Sequence, residues 1–186
     1  MRQILIWFLV CFYLTSSAQC GKERWNVKTL SDKDTIKVDF TRVVSTTVSI
    51  QACLTRPPII PKNMPRQNTE CNVYTIDCYI IEYKRESDKD IHIVLRDLKT
   101  NATMVAEIPS PDCPEVQKTS RNTKFDELYS WFTNNIGKPT SKFKTLHQPL
   151  RVRITGVGFY DFIHGQHGMA PNGREIHPVL SIIPIK

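Results

Sequence analysis

The densest concentration of chemically capable side chains is Gly158-Phe-Tyr-Asp-Phe-Ile-His-Gly-Gln-His-Gly-Met-Ala-Pro-Asn-Gly-Arg-Glu-Ile-His-Pro, which holds three of the five histidines of the chain. Asp161, His164, Gln166, Asn172, Glu175 and His177 are its candidate ligand-binding set. Imidazole and carboxylate groups suit zinc-like divalent ions, and catalytic zinc sites keep three protein ligands and one open position. His164, Glu175 and His177 are therefore the candidate metal ligands, with Asp161 and His167 as further donors. A metal there would activate water for hydrolysis. Glu175 and His177 are two apart, so a strand would aim both to one face. His164-x-x-His167 lies among glycines, where no helix would align the pair. A competing reading makes Asp161 and His164 backbone partners within a long loop, and Pro171-Asn172-Gly173 a turn. A structural loop, a ligand-binding loop and a metal site all remain open on these residues.

Other chemistries have weaker signals. There is no Gly-x-Ser-x-Gly elbow, no phosphate-cradling glycine loop and no cysteine beside a histidine. A net charge of +7 attracts phosphate. Tyr74, Tyr79, Tyr83, Phe159 and Tyr160 could stack bases while Arg96, Arg151 and Arg153 meet phosphates. The basic residues are dispersed, however, and Lys118–Lys124 and Lys138–Lys144 read as solvated helix flanks. His92 falls on the polar side of its strand, where a surface or half-buried histidine is expected. Asp88 and Asp90 read as hairpin-turn residues unless the long loop brings its histidines to them.

The elements that must position these groups follow from periodicity. Val73–Tyr83 is a long β-prone run, Ile91, Ile93 and Leu95 alternate with His92, Val94 and Arg96, and Met104–Ile108 is a third strand. Phe125, Leu128, Phe132 and Ile136 make one apolar helical stripe, stopped by Gly137 and Pro139. Val152 and Ile154 lie on a fourth strand, where Gly156 and Gly158 suggest a bulge. His177–Ile185 is a fifth, and Pro178 and Pro184 place it at an edge or opening. Three strands, a helix and two strands is the order of an OB-fold, a five-stranded, partly open barrel. The alternative is an open α+β sheet with one helix on its face. In the barrel, the 161–177 stretch joins strands four and five, and Glu86–Asp90 joins strands one and two. These two loops flank the usual OB binding face. The fold class expected is mainly β, with residues 71–186 forming the OB-fold-like domain. Residues 19–53 form a β-prone N-terminal extension, strand-like from Trp25 to Cys53, and 54–70 a Pro-rich connector with Pro57, Pro58, Pro61 and Pro65.

Residues 1–18 carry Arg2, an apolar run from Ile4 to Leu14 and a small-residue end at Ala18, the pattern of a secretory signal peptide too short to span a bilayer. Its removal leaves 168 residues, a net charge of +6 and five cysteines. That odd number suggests two disulfides and one free buried thiol such as Cys78, or a lipid anchor on Cys20 that leaves an even four. Gln19 argues against the anchor, because a small side chain is expected before a lipoprotein cysteine. No Cys-x-x-Cys pair exists, so no zinc ribbon or thioredoxin-like site is suggested.

Trp25-Asn-Val-Lys-Thr-Leu-Ser-Asp, Lys89-Asp-Ile-His-Ile-Val-Leu, Met104-Val-Ala-Glu-Ile-Pro and the run from Gly156 to Val179 resemble a family of small exported bacterial proteins. The resemblance spans nearly all of the chain after the leader. It implies export, to the periplasm or outside the cell, and a barrel, but no activity. The family pattern usually has another residue in place of His167 and often a glycine in place of Lys89. That weakens His167 as a ligand and keeps His164, Gln166, Asn172, Glu175 and His177 as the matching polar set. The expectation is an exported, non-enzymatic binding module without a cofactor, for a glycan, oligonucleotide or protein of the envelope or exterior. The alternative is a metal-dependent hydrolase, such as a nuclease, that carries a zinc-like ion on the 161–177 loop.

Overall fold

Strand alternation along the second half of the chain closes a ring. The computed structural model describes residues 20–186, so the expected leader, residues 1–18, lies outside the described residues. Six strands form one sheet: β1 (Asp39–Thr46), β2 (Asn72–Arg85), β3 (Ile91–Asp97), β4 (Thr103–Ile108), β5 (Lys144–Tyr160) and β6 (Arg174–Pro184). The hydrogen-bonded order is β1-β2-β3-β4-β6-β5, and β5 also pairs with β2. Strands β2, β3, β4, β6 and β5 thus form a ring of backbone hydrogen bonds, while β1 lies outside it, parallel to β2. The weakest link is β4 to β6, a parallel contact with register only at Val105–Glu175 and Ala106–Ile176. Pro178 lies just past that link, where a missing N–H costs no β4 partner. As expected, β5 slips its register against β6 at Gly156 and Gly158. A Cβ on Gly158 would strike the buried Arg174 guanidinium, so the glycine is required for that close approach.

One face of every ring strand fills the interior with Ile76, Ile80, Ile91, Ile93, Leu95, Met104, Ile108, Ile154 and Ile176. Helix α4 (Asn122–Asn135) follows from the 3.6-residue stripe and adds Leu128 and Phe132 to this core. Its Phe125 instead joins a second cluster with Trp25, Leu30, Val38, Val73 and Val116. That cluster holds the N-terminal segment against the outside of the ring.

The segment from Trp25 to Cys53 departs from the strand-like expectation. It contains the short helix α1 (Trp25–Lys28), a 3-10 turn (Lys33–Lys37), strand β1 and the short helix α2 (Val48–Ala52). Only Asp39–Thr46 found a strand partner, and Ile36 is exposed. A β-prone sequence becomes a strand only where an edge accepts it. The proline-rich segment ends in a 3-10 turn (Asn68–Glu70) and is anchored. Arg66 donates to both carboxylate oxygens of Asp32 and to the Val27 carbonyl, and α3 (Pro114–Lys118) follows β4 beyond the cleft described below.

The cysteines also differ from the two-disulfide expectation. Cys20 and Cys113 pair as a disulfide with Cα atoms 5.9 Å apart, while Cys53, Cys71 and Cys78 are free. A sulfur in that bond has no valence for a lipid thioether, which corrects the anchor alternative for Cys20. Cys78 is the free buried thiol expected, and burial pushes its pKa up to about 12. Among the described residues no helix is long and apolar enough to cross a membrane.

Candidate functional site

Because Ile91, Ile93 and Leu95 of β3 point into the ring, His92 and Val94 project from its outer face. Glu107 is the cross-strand neighbour of His92, and Glu175 pairs in register with Val105 of the same strand. His177 follows two residues after Glu175, on the same face as expected. The outer face of β3, β4 and β6 therefore carries His92, Glu107, Glu175 and His177 side by side. None is surface: their exposures are 0–3%. Two coverings bury them. The β5–β6 loop lays the His167 carbonyl on His92 Nε2 at 3.2 Å and Gly168 on Val94. The N-terminal segment lays Lys28 beside Asp161 and Glu107, its Nζ 3.7 and 4.0 Å from their oxygens. His92 is thus on the side expected but buried, because two segments far away in sequence cover it.

Glu107 is the hub. Its Oε1 lies 3.2 Å from His92 Nδ1 and its Oε2 lies 3.0 Å from His177 Nδ1. His92 Nδ1 also meets Glu86 Oε1 at 3.1 Å. On its far side His177 Nε2 lies 3.4 Å from Asp90 Oδ2, while Asp90 Oδ1 accepts the Ser110 N–H at 2.8 Å. The contacts of His177 are close enough for charge attraction but not aligned as hydrogen bonds. Both its ring nitrogens, Asp90 Oδ2 and Glu175 Oε2 are buried without a hydrogen-bond partner among the described residues. Phe159 forms an aromatic wall, its ring 5.6 Å from that of His177, with Arg24 and Lys28 over it at 4.7 and 5.3 Å.

Burial opposes every charge here, and the neighbours decide which groups keep theirs. Burial disfavours the His92 imidazolium, yet Glu107 and Glu86 outweigh it and lift its pKa to about 10. Burial opposes the His177 imidazolium in the same way, and Asp90 and Glu107 lift it to about 9. Lys28 is raised, because the carboxylates of Glu107, Asp161 and Glu175 more than offset its burial. Glu107 is held well below the usual carboxylate range by Lys28 and the imidazoles, against its burial. Glu175 moves the other way, pushed well up by burial and by Asp161 and Glu107. Burial also lifts Asp90 to about 7.

These displaced values set a pH dependence. Each raised group binds its proton more tightly folded than unfolded. Its stabilisation is complete below the unfolded value, 6.5 for histidine and 3.8 for Asp90, and is lost as pH rises through about 7, 9 and 10 for Asp90, His177 and His92. The urea midpoint of the metal-free chain is expected to fall between pH 6.5 and 9.5. The loss should be on the order of a few kcal/mol, since each tenfold difference in proton affinity between the folded and unfolded chain is worth about 1.4 kcal/mol. The slope should flatten in His92→Gln. A midpoint that holds or rises over that window contradicts the assignment.

The cluster opens on a cleft of about 670 Å³. Its walls are Glu86, Ser87 and Asp88 from the β2–β3 turn, Asp161, His164 and Gln166 from the β5–β6 loop, and Cys20–Glu23, Trp25 and Lys28 from the N-terminal segment, with Glu107 at its floor. Lys89 in that turn has φ 76°, a left-handed conformation that glycine adopts without cost.

Of the residues singled out from sequence, Asp161, Glu175 and His177 belong to the buried cluster, and His164 and Gln166 line the cleft. His164 is half-exposed, its Nε2 3.7 Å from Asp161 Oδ2, and Gln166 donates to the same oxygen at 3.5 Å. Asn172 is elsewhere: it donates to the Gln51 and Leu54 carbonyls and accepts the Arg174 N–H, which makes it a turn residue. His164, Glu175 and His177 do not converge as one ligand set. Among the described residues the sets whose ligand atoms lie within 4.8 Å of one another are Glu86, His92 and Glu107, and Asp90, Glu107 and His177. His167 instead pairs with Glu82 at the surface. Sequence reasoning missed Lys28, Glu86 and Glu107. One signal was available: Glu107 is the sole charge in the apolar strand Thr103–Ile108. No family model, curated protein or solved structure matches the chain.

Proposed function

We propose that the chain is an exported, non-enzymatic binding module on an OB-fold-like barrel, and that its cleft takes a short polar glycan of the envelope or exterior. The order β2-β3-β4-β6-β5, closed on β2 with its one parallel contact between β4 and β6, supports the barrel reading. The cleft lies where an OB barrel receives ligands, between the loops joining strands one to two and four to five. The leader pattern and the Cys20–Cys113 pair support export.

The observation that carries the ligand class is the lining. Glu23, Glu86, Asp88, Glu107 and Asp161 face Lys22 and Lys28, with Ser87, His164 and Gln166 between them. Such walls offer many hydrogen-bonding groups to hydroxyls, and an acidic excess that repels phosphate. In the metal-free cleft the acidic excess disfavours the oligonucleotide reading, whose ligand is a phosphodiester. Of the lysines, Lys22 and Lys28 reach this cleft.

Calorimetric titration with a panel of neutral and amino-sugar oligosaccharides, alongside a single-stranded oligonucleotide, tests the proposal. At least one glycan is expected to bind, and Asp161→Asn to weaken it roughly 10- to 100-fold, the value of a charged hydrogen bond. Oligonucleotide binding with steep salt dependence and no glycan binding would overturn it.

A further inference from the structure

The floor of the cleft has a geometry that glycan binding alone does not require. Six carboxylates, those of Glu86, Asp88, Asp90, Glu107, Asp161 and Glu175, surround one ammonium and two imidazoles. Each oxygen of Glu107 faces the Nδ1 of a different histidine at 3.0–3.2 Å. Two ligands on one ion, each about 2.0–2.2 Å from it, stand roughly 3.0–3.4 Å apart. The far nitrogen of His92 is already engaged: its Nε2 meets the His167 carbonyl at 3.2 Å. A backbone carbonyl or carboxylate behind the ring is the outer support that orients metal-binding histidines and fixes their tautomer. A second, independent observation is the set of atoms left over. His177, Asp90 and Glu175 are at most 1% exposed, yet both His177 nitrogens, Asp90 Oδ2 and Glu175 Oε2 lack hydrogen-bond partners. Buried polar atoms without partners are costly, and an unfilled ligand position accounts for them.

We propose that the cleft floor is a divalent transition-metal centre in which Glu107 bridges two ligand sets, Glu86 with His92 and His177 with Asp90. Mixed nitrogen and carboxylate donors select zinc, manganese or iron over calcium, which prefers oxygen alone. Glu86 and Glu107 also line the cleft, so an ion held there faces a bound glycan and can coordinate its hydroxyls. This deepens the binding proposal and rests on the same cleft being the ligand site.

The test is equilibrium dialysis of the whole exported chain against zinc and, separately, manganese, with metal counted by elemental analysis and no glycan present. One or two ions per chain are expected, with at least a tenfold loss of affinity in Glu107→Gln and little change in His147→Ala, whose histidine lies outside the cluster. Cobalt loading of the unaltered chain gives a reading that needs no variant to fold. Visible bands of nitrogen and oxygen ligation support the centre, and a thiolate charge-transfer band, pointing to Cys53 or Cys71, overturns it. Absence of stoichiometric metal, or full retention in a folded Glu107→Gln, also overturns it. A chain that binds glycan but no metal sinks this inference alone, and one that binds metal but no glycan sinks the glycan reading alone.

Discussion

Arg24→Met is expected to cost about 3–5 kcal/mol of stability, the usual consequence of leaving one partner of a buried ion pair behind. The Arg24 and Glu70 side chains are both fully buried. Arg24 forks onto both oxygens of Glu70 at 2.8 and 2.6 Å and also donates to the Met64 and Tyr160 carbonyls. Glu70 in turn accepts the Tyr160 and Gln67 N–H groups, each at 2.8 Å. One guanidinium thus ties the N-terminal segment, the proline-rich segment and the end of β5 together. Lysine offers no planar fork, so Arg24→Lys should recover little. Because Glu70 keeps two backbone partners, Arg24→Met/Glu70→Gln should recover part of the loss but not all. The measurement is the urea midpoint of the three variants. An Arg24→Met midpoint within experimental error of the unaltered chain would show that the clamp contributes nothing.

Removing the disulfide is expected to act on both stability and binding. Cys20 and Cys113 are 93 residues apart in sequence. In the chain-entropy account a loop of that size is worth about 4–5 kcal/mol, and native disulfides commonly measure about 2–5. For a chain of this length the melting temperature should fall by roughly 10 °C in Cys20→Ser/Cys113→Ser. The bond also fixes the start of the segment that walls the cleft, where Cys20, Gly21 and Lys22 stand opposite Ser87 and Asp88. Glycan affinity should therefore drop even at temperatures where the variant is fully folded. A variant that melts lower but binds unchanged would mean that the wall is held by Arg24 and Trp25 alone. A variant that melts unchanged would contradict the tether.

Most of the ring was legible in the sequence because its signals are local. Alternation at Ile91, Ile93 and Leu95, the stripe Phe125, Leu128 and Phe132, and the paired Gly156 and Gly158 each mark an element without reference to any other. The helices on either side of strand β1 were not legible, since Val43 to Ile50 is equally β-prone whether or not an edge receives it. The site divides in the same way. Asp161, Glu175 and His177 stood out by composition, and the shared face of Glu175 and His177 followed from their spacing. His92 and Glu107 meet only through the β3–β4 register, and Lys28 arrives from more than sixty residues away, guided by the Arg24 clamp and the disulfide. No spacing rule reports such encounters. Asn172 misled for the opposite reason: asparagine beside glycine serves turns as readily as ligands, and here it closes one.

Ligand is expected to enter between the β2–β3 turn and the β5–β6 loop and to meet the cluster beneath them. Backbone amide chemical-shift mapping of the isotope-labelled chain, titrated with the oligosaccharide panel, tests this. Shifts are predicted to concentrate at Lys22, Ser87, Asp88, Asp161, His164 and Gln166, with the outer edge of β1 and the Lys138–Lys144 flank silent. Shifts gathered instead on Tyr79, Arg96 and Arg153, with the cleft residues unmoved, would contradict the account.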